Sequence, residues 1–424
     1  MNRSIAPAID TIESVTLPEI RQLKLDNGVP VYLLNEGDQE VIKVEWMFKA
    51  GKWYEPKNLM SDLAARMLRE GTGKLNAKEI ADAFDYYGAS FNTGAGFETA
   101  GASLYSLSKH INQLIPLAFE TFSDSVFPEN ELKTIVASRK QKLAVDLEKN
   151  DFVANRNFVN ALFGKTHPYG RVTDFTDFEK VNSADLLEYF RKYYTASNLV
   201  IIVSGRYDEK AVLQSLNHHF GSKSWTGEKI NINLNYTIEP SAELVHHTDK
   251  PQSVQTAVVA GNRTINKLHP DFMKLSILNT LFGGYFGSRL MKNIREEKGF
   301  TYGIYSSLAT YPHDAFIEIS SEVGKEVREQ TLHEIEFEIN RLRNEEVNAE
   351  ELTVVKNYLS GKMLRNIDGP LKYSETLKNL IIFGQDTSYI HQYLQTIRNI
   401  TVTDIQEMAV KYLDFTNMYR VSVG

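Results

Sequence analysis

The chain has 424 residues, 42% of them hydrophobic and 24% charged, with a formal net charge of −7 and no cysteine. Those values exclude a disulfide scaffold, a cysteine nucleophile and thiolate metal sites, and they make nucleic acid and anionic membrane surfaces poor partners. The length exceeds one typical core, so two or more domains are expected.

The first 20 residues carry no apolar h-region, so no secretory signal is visible. The longest purely aliphatic run, Leu199–Val203, is far short of a membrane span. The expected compartment is the cytoplasm, or the periplasm if a leader has been removed. In "VIKVEWMFKAG", Ile42, Val44, Trp46 and Phe48 alternate with Lys43, Glu45 and Lys49, predicting a strand with one buried face. In "MSDLAARMLREGTG", Met60, Leu63, Ala64, Met67 and Leu68 form the apolar stripe of a helix that Gly71 and Gly73 stop. Asp62 and Arg66 sit one turn apart on that helix, with Ala65 beside them. One turn is also the spacing at which a helix presents two metal ligands.

Further along, "NAKEIADAFDYYGASF" predicts a capped helix, a glycine stop and a strand. The stretch from Lys109 to Asn150 predicts two helices broken at Pro128, and "SADLLEYFRKYYTASNLVIIVSG" a helix leading into a closing strand. His167, in "HPYGR", precedes a proline turn and is assigned a structural role. The adjacent pairs His218–His219 and His246–His247 point to opposite faces if on strands, which disfavours joint metal binding.

The chain also echoes itself. "ENELKTIVASRKQKL" is followed by "AEELTVVKNYLSGKM", with Glu131 and Glu351 220 positions apart. "RKYYTASNLVIIVSG" is followed by "VKYLDFTNMYRVSVG", with Tyr193 and Tyr412 219 apart. Two echoes in one order at nearly one offset predict two homologous domains. We expect an N-terminal extension over 1–20, a first domain over 21–221, a linker over 222–240 and a second domain over 241–424. The fold class is α+β, each domain a mostly antiparallel sheet packed with helices.

The most distinctive stretch is "LFGGYFGSRLMKNIREEKGFTYGIYSS". It predicts a helix from about Ser288 to Glu297 with Leu290, Met291 and Ile294 inward, a stop at Gly299, and a strand with Phe300, Tyr302 and Ile304 on one face. Arg295 in the last turn and Tyr302 at the strand start can converge as hydrogen-bond donors. Both also have ordinary structural roles, near a helix C-terminus and in a strand. Gly283, Gly284 and Gly287 fit either close approach to a peptide or a tight turn.

This stretch, with "HPYGR" and the duplication, resembles the M16 family, which includes pitrilysin- and insulinase-like zinc peptidases, the mitochondrial processing peptidase and the core proteins of the cytochrome bc1 complex. The resemblance implies two α+β domains per chain and two chains closing as a clamshell. Catalytic members carry H-x-x-E-H on the first-domain helix, two histidines binding zinc and the glutamate activating water, with a glutamate from a later helix as third ligand. Anchored at Gly71–Thr72, that motif falls on Asp62, Ala65 and Arg66. The base loses its side chain, and a ligand becomes a permanent cation that cannot donate a lone pair. No two of the ten histidines are three or four positions apart, so no helix offers a two-histidine face. "HEIEF" at His333 ends in Phe337 and lacks the motif's last histidine. For the third ligand the later helix offers Asp146 or Glu148.

In dimeric relatives the zinc-free subunit supplies an arginine and a tyrosine to a substrate carbonyl, and Arg295 and Tyr302 match those positions. The resemblance therefore implies a non-catalytic, peptide-binding subunit that binds no cofactor itself and completes a metallopeptidase with a homologous zinc-bearing partner. A homodimer is the alternative assembly in isolation. Competing readings are a peptidase-like structural scaffold or peptide-binding protein with no proteolytic role, and an enzyme with an unrecognised site.

Overall fold

The computed structural model describes residues 15–227 and 234–424. Positions 1–14 of the expected extension and 228–233 of the expected linker lie outside them. The fold is mixed α+β with two sheets. The chain divides into two compact units. Among the described residues, the larger comprises 19–227, 234–262, 369–378 and 418–424, and the smaller 15–18, 263–368 and 379–417.

In the larger unit, strands β1 (Arg21–Lys24), β2 (Pro30–Asn35), β3 (Val41–Phe48), β4 (Ser90–Ala95), β5 (Ala100–Leu107) and β6 (Leu199–Gly205) form one sheet in the order β1-β2-β6-β3-β5-β4. All neighbours are antiparallel except β2 and β6. Helices α1 (Met60–Met67), α2 (Ala77–Tyr86), α3 (Ile111–Ser123), α4 (Glu129–Leu147), α5 (Asn150–Phe163), α6 (Ser183–Tyr193) and α7 (Glu209–His219) belong to the same unit. Asn76 and Glu79 form a reciprocal capping box at α2, and Gly88, at φ +61°, lets the chain turn into β4. Ile42, Val44, Trp46 and Phe48 all face the core, where Trp46 meets Phe91, Phe122 and Phe220 at ring separations of 5.4–6.4 Å. His218 and His219 close α7 and do not lie on a strand. Strands β7 (Val245–Thr248) and β8 (Gln255–Thr264) complete the unit's first pass.

The smaller unit contains α8 (Phe272–Asn279), two π-helical turns (Thr280–Gly284 and Met291–Glu297), the antiparallel hairpin β9 (Thr301–Thr310) and β10 (Ala315–Gly324), α9 (Arg328–Asn344) and α10 (Ala349–Ile367). Helix α11 (Pro370–Ile382) follows, with its first residues counted in the larger unit. Then come α12 (Ser388–Asn399) and α13 (Val402–Tyr412). The last strand, β11 (Tyr419–Val423), returns to the larger unit, parallel to β7 and antiparallel to β8. Helices α4 and α10 are both 19 residues long and start 220 positions apart; α6 and α13 are both 11 residues long and start 219 apart. In this grouping, residues 241–262, 369–378 and 418–424 join the larger unit.

Three local expectations need correction. Helix α1 ends at Met67, before Gly71. The helix expected over 288–297 is largely a π-helical turn, although Leu290, Met291 and Ile294 are buried as anticipated and Gly299 ends it at φ +68°. Strand β3 is buried on both faces, not one. Lys43 is 1% exposed and Glu45 4%. Helix α11 covers them: Lys43 pairs with Glu45 at 2.7 Å and with Glu375, while Lys378 pairs with Glu45 at 2.8 Å and Glu375 at 2.6 Å. Alternating signs make this burial tolerable, since each buried charge has an opposite neighbour.

Candidate functional site

Helix α1 begins without a side-chain cap of its own. Its N-cap residue, Leu59, sits at φ +74°, an uncommon conformation for a branched side chain. The missing cap is supplied by Glu55, whose carboxylate accepts from the Ser61 amide at 3.0 Å and the Ser61 hydroxyl at 2.9 Å. Arg171 then donates to Glu55 at 2.8 Å. Burial pushes the Glu55 carboxyl up, against the pull of the Ser61 amide and the Arg171 guanidinium. Thus the arginine of "HPYGR" helps to hold the helix that carries Asp62. In the same turn, His167 is buried, stacks on Phe163 at 5.2 Å and accepts the Tyr169 amide at 3.2 Å, while Tyr169 donates to Glu98 at 2.6 Å.

On α1 the apolar stripe is fully buried, and Ala65 is buried with it. Asp62 and Arg66 come together as their spacing requires: Arg66 Nε donates to both carboxylate oxygens at 3.1 Å. The sequence did not reveal a second guanidinium. Arg139, on α4, lies 3.0 Å from Asp62 through Nη2. The Asp62 side chain is only 17% exposed, so its charge is held between two arginines. Tyr194 lies behind it, fully enclosed; burial first, then the Asp62 charge, push its ionisation far above the usual phenol range. Asp146 binds Lys142 at 2.9 Å and Lys149 at 2.8 Å, and these lysines hold its carboxyl below the usual range. The residue of α4 that reaches Asp62 is therefore Arg139.

In the smaller unit, Arg295 and Tyr302 are neighbours, but not as two side chains meeting. Arg295 Nε donates to the backbone carbonyl of Tyr302 at 3.0 Å, and its guanidinium lies over the Phe286 ring at 4.7 Å. The Tyr302 side chain points into solvent, 93% exposed, with no hydrogen-bond partner for its hydroxyl among the described residues. Ile304, two residues on and on the same face, is fully buried. The strand thus leaves its helical cover between these two residues. Of the three glycines, Gly283 is spoken for by packing: a Cβ there would fall 2.6 Å from the Ser306 backbone nitrogen. Gly284 and Gly287 face Asn279 and the Tyr285 ring, so each contact is with the chain itself.

These geometries can be set beside known proteins. Residues 180–359 match the family described as "Peptidase M16 inactive domain". A Bacillus subtilis protein named "Uncharacterized zinc protease YmxG" is 24% identical over 385 residues, 90% of this chain and 91% of its own. Over residues 180–359 the chain is thus similar to the M16 peptidase family. A Helicobacter pylori protein named "Non-peptidase homolog YmxG" is 24% identical over 95% of this chain and 90% of its own. The crystal structure of a peptidase M16 inactive domain from Pseudomonas fluorescens has the same fold, with a TM-score of 0.87 and 24% identity over 96% of this chain and 98% of that one.

The zinc associated with M16 peptidases does not fit the residues of α1. A zinc site needs three lone-pair donors, usually histidine-rich. Here one carboxylate is already neutralised by two guanidiniums, and the position between has no side chain beyond Cβ. Among the described residues no group of three His, Asp or Glu side chains could hold a metal ion.

Proposed function

We propose that this chain is a non-catalytic, substrate-binding subunit that completes a metallopeptidase together with a homologous chain carrying H-x-x-E-H and its zinc. Each chain would keep the duplicated two-domain plan, residues 21–221 and 241–424, joined by 222–240. The observation that carries the proposal is Tyr302. A phenol 93% exposed at the start of a strand, beside an arginine whose Nε is anchored, presents donors that the fold itself does not use. A peptide carbonyl placed between the Tyr302 hydroxyl and the Arg295 Nη groups would accept a neutral and a charge-assisted hydrogen bond. Both would strengthen as negative charge develops on that oxygen. No step of bond cleavage is assigned to this chain, because α1 offers neither metal ligands nor a general base. No helix among the described residues is long and apolar enough to cross a membrane.

A scaffold with no proteolytic role would have no need of the exposed Arg–Tyr pair. The test is reconstitution with an H-x-x-E-H homologue. Arg295→Ala and Tyr302→Phe are each expected to lower peptide turnover by about ten- to a hundred-fold, with the mixed complex still eluting as one species. Unchanged turnover in both variants would favour the scaffold.

A further inference from the structure

The turn before the Arg295 segment carries a phenylalanine with no place in the core. Phe286 is 59% exposed, yet its ring lies directly against the Arg295 guanidinium. The turn itself is held on both sides. Tyr285 packs on Tyr358 at 4.9 Å, and its carbonyl accepts the Ser288 amide at 3.1 Å. Gly287 lies so close to the Tyr285 ring that a Cβ would come within 2.9 Å of it. A ring mounted on a turn fixed in this way has little freedom to leave its neighbour.

The guanidinium is a flat fork of five N–H donors. One of them, Nε–H, is given to the Tyr302 carbonyl. A single hydrogen bond leaves the plane free to swing about it, which would sweep the Nη groups through a wide arc. Glu296 does not stop this, since its carboxylate lies 3.9 Å from Nη1, beyond hydrogen-bond reach. The aromatic face does, because the plane must lie over the ring to keep the cation–π attraction.

We propose that Phe286 is a positioning residue: with the Tyr302 carbonyl it fixes the plane of Arg295, so that the Nη groups are aimed before a peptide arrives. This rests on Arg295 acting on a peptide as proposed above, but the orientation has a readout of its own. In the chain labelled with [15N]arginine, the Arg295 Nε–H resonance, assigned by its loss in Arg295→Lys, is expected to be ordered and slow to exchange. Phe286→Ala should leave the circular dichroism unchanged while making that resonance mobile and fast-exchanging. Phe286→Trp should restore it, and Phe286→Leu, apolar but without a π face, should not. In the reconstituted complex, Phe286→Ala should lower kcat/KM by about two- to five-fold and have no further effect in an Arg295→Ala background. An unchanged Arg295 resonance in Phe286→Ala overturns the positioning role. A mobile Arg295 with unchanged turnover upholds the positioning role and overturns the peptide-binding one.

Discussion

At Asp62 a single carboxylate pairs with two arginines, one from its own helix and one from α4. The two contributions differ. Arg66 is 41% exposed and its i,i+4 bond is worth only tenths of a kcal/mol. Arg66→Ala should therefore lower stability in urea by about 0.5 kcal/mol or less. Asp62→Ala removes the partner of both cations and should cost about 1–3 kcal/mol. Equal small losses in the two variants would show that the Arg139 bond contributes nothing. The Asp62–Arg66 pair was legible in the sequence because helical spacing is local. Arg139 was not, because no spacing rule links residues brought together by packing of two helices. The same limit applies to Tyr302: alternation put it on the face of Ile304, but not beyond the edge of the cover that buries Ile304.

Among elements, β3 shows how an alternating pattern can mislead. Lys43 and Glu45 have the spacing of a solvent face, and only α11, more than 300 positions later, converts that face into an interior. The ion pairs set a pH window for this contact. For Glu375, partial burial opposes ionisation, but Lys378 and Lys43 outweigh it and hold the carboxyl below its usual 4.5. A lowered acid contributes stability above its unfolded value and loses it as pH falls through the folded one. For Lys43 and Lys378, burial is likewise outweighed, by Glu45 and Glu375, and both ammoniums rise above 10.5, so their contribution is lost only in strong alkali. Hydrogen exchange of residues 370–378, corrected for intrinsic rates, should thus be flat between about pH 5 and 10 and accelerate on acidification below that range. Acceleration starting near neutrality would contradict the assignment.

The π-helical turn before Phe286 is a second case. Its glycines suggested a turn or a peptide contact, and at Gly283 the close approach is to Ser306 of the chain's own strand β9. Gly283→Ala would drive a Cβ into Ser306 on β9, and overpacking of this kind costs about 1–3 kcal/mol. A thermal melt unchanged by that substitution would reopen the peptide contact.

Across the whole molecule, the α+β class and the order of helices and strands were legible, because long periodic segments with glycine and proline boundaries leave few alternatives. The 219- and 220-residue echoes recur as helices of equal length at the same offsets. The grouping into compact units was not legible, because β7, β8 and β11 pair by topology and not by proximity in sequence. The proposed function rests at the same scale on Asp62, Ala65 and Arg66 in the first helix and on Arg295 and Tyr302 in the second half. The decisive measurement is the zinc content of the purified chain after saturation with the metal and gel filtration. The account predicts far less than one equivalent, unaffected by Asp62→Ala. One tightly held zinc per chain, released by Asp62→Ala, would contradict it.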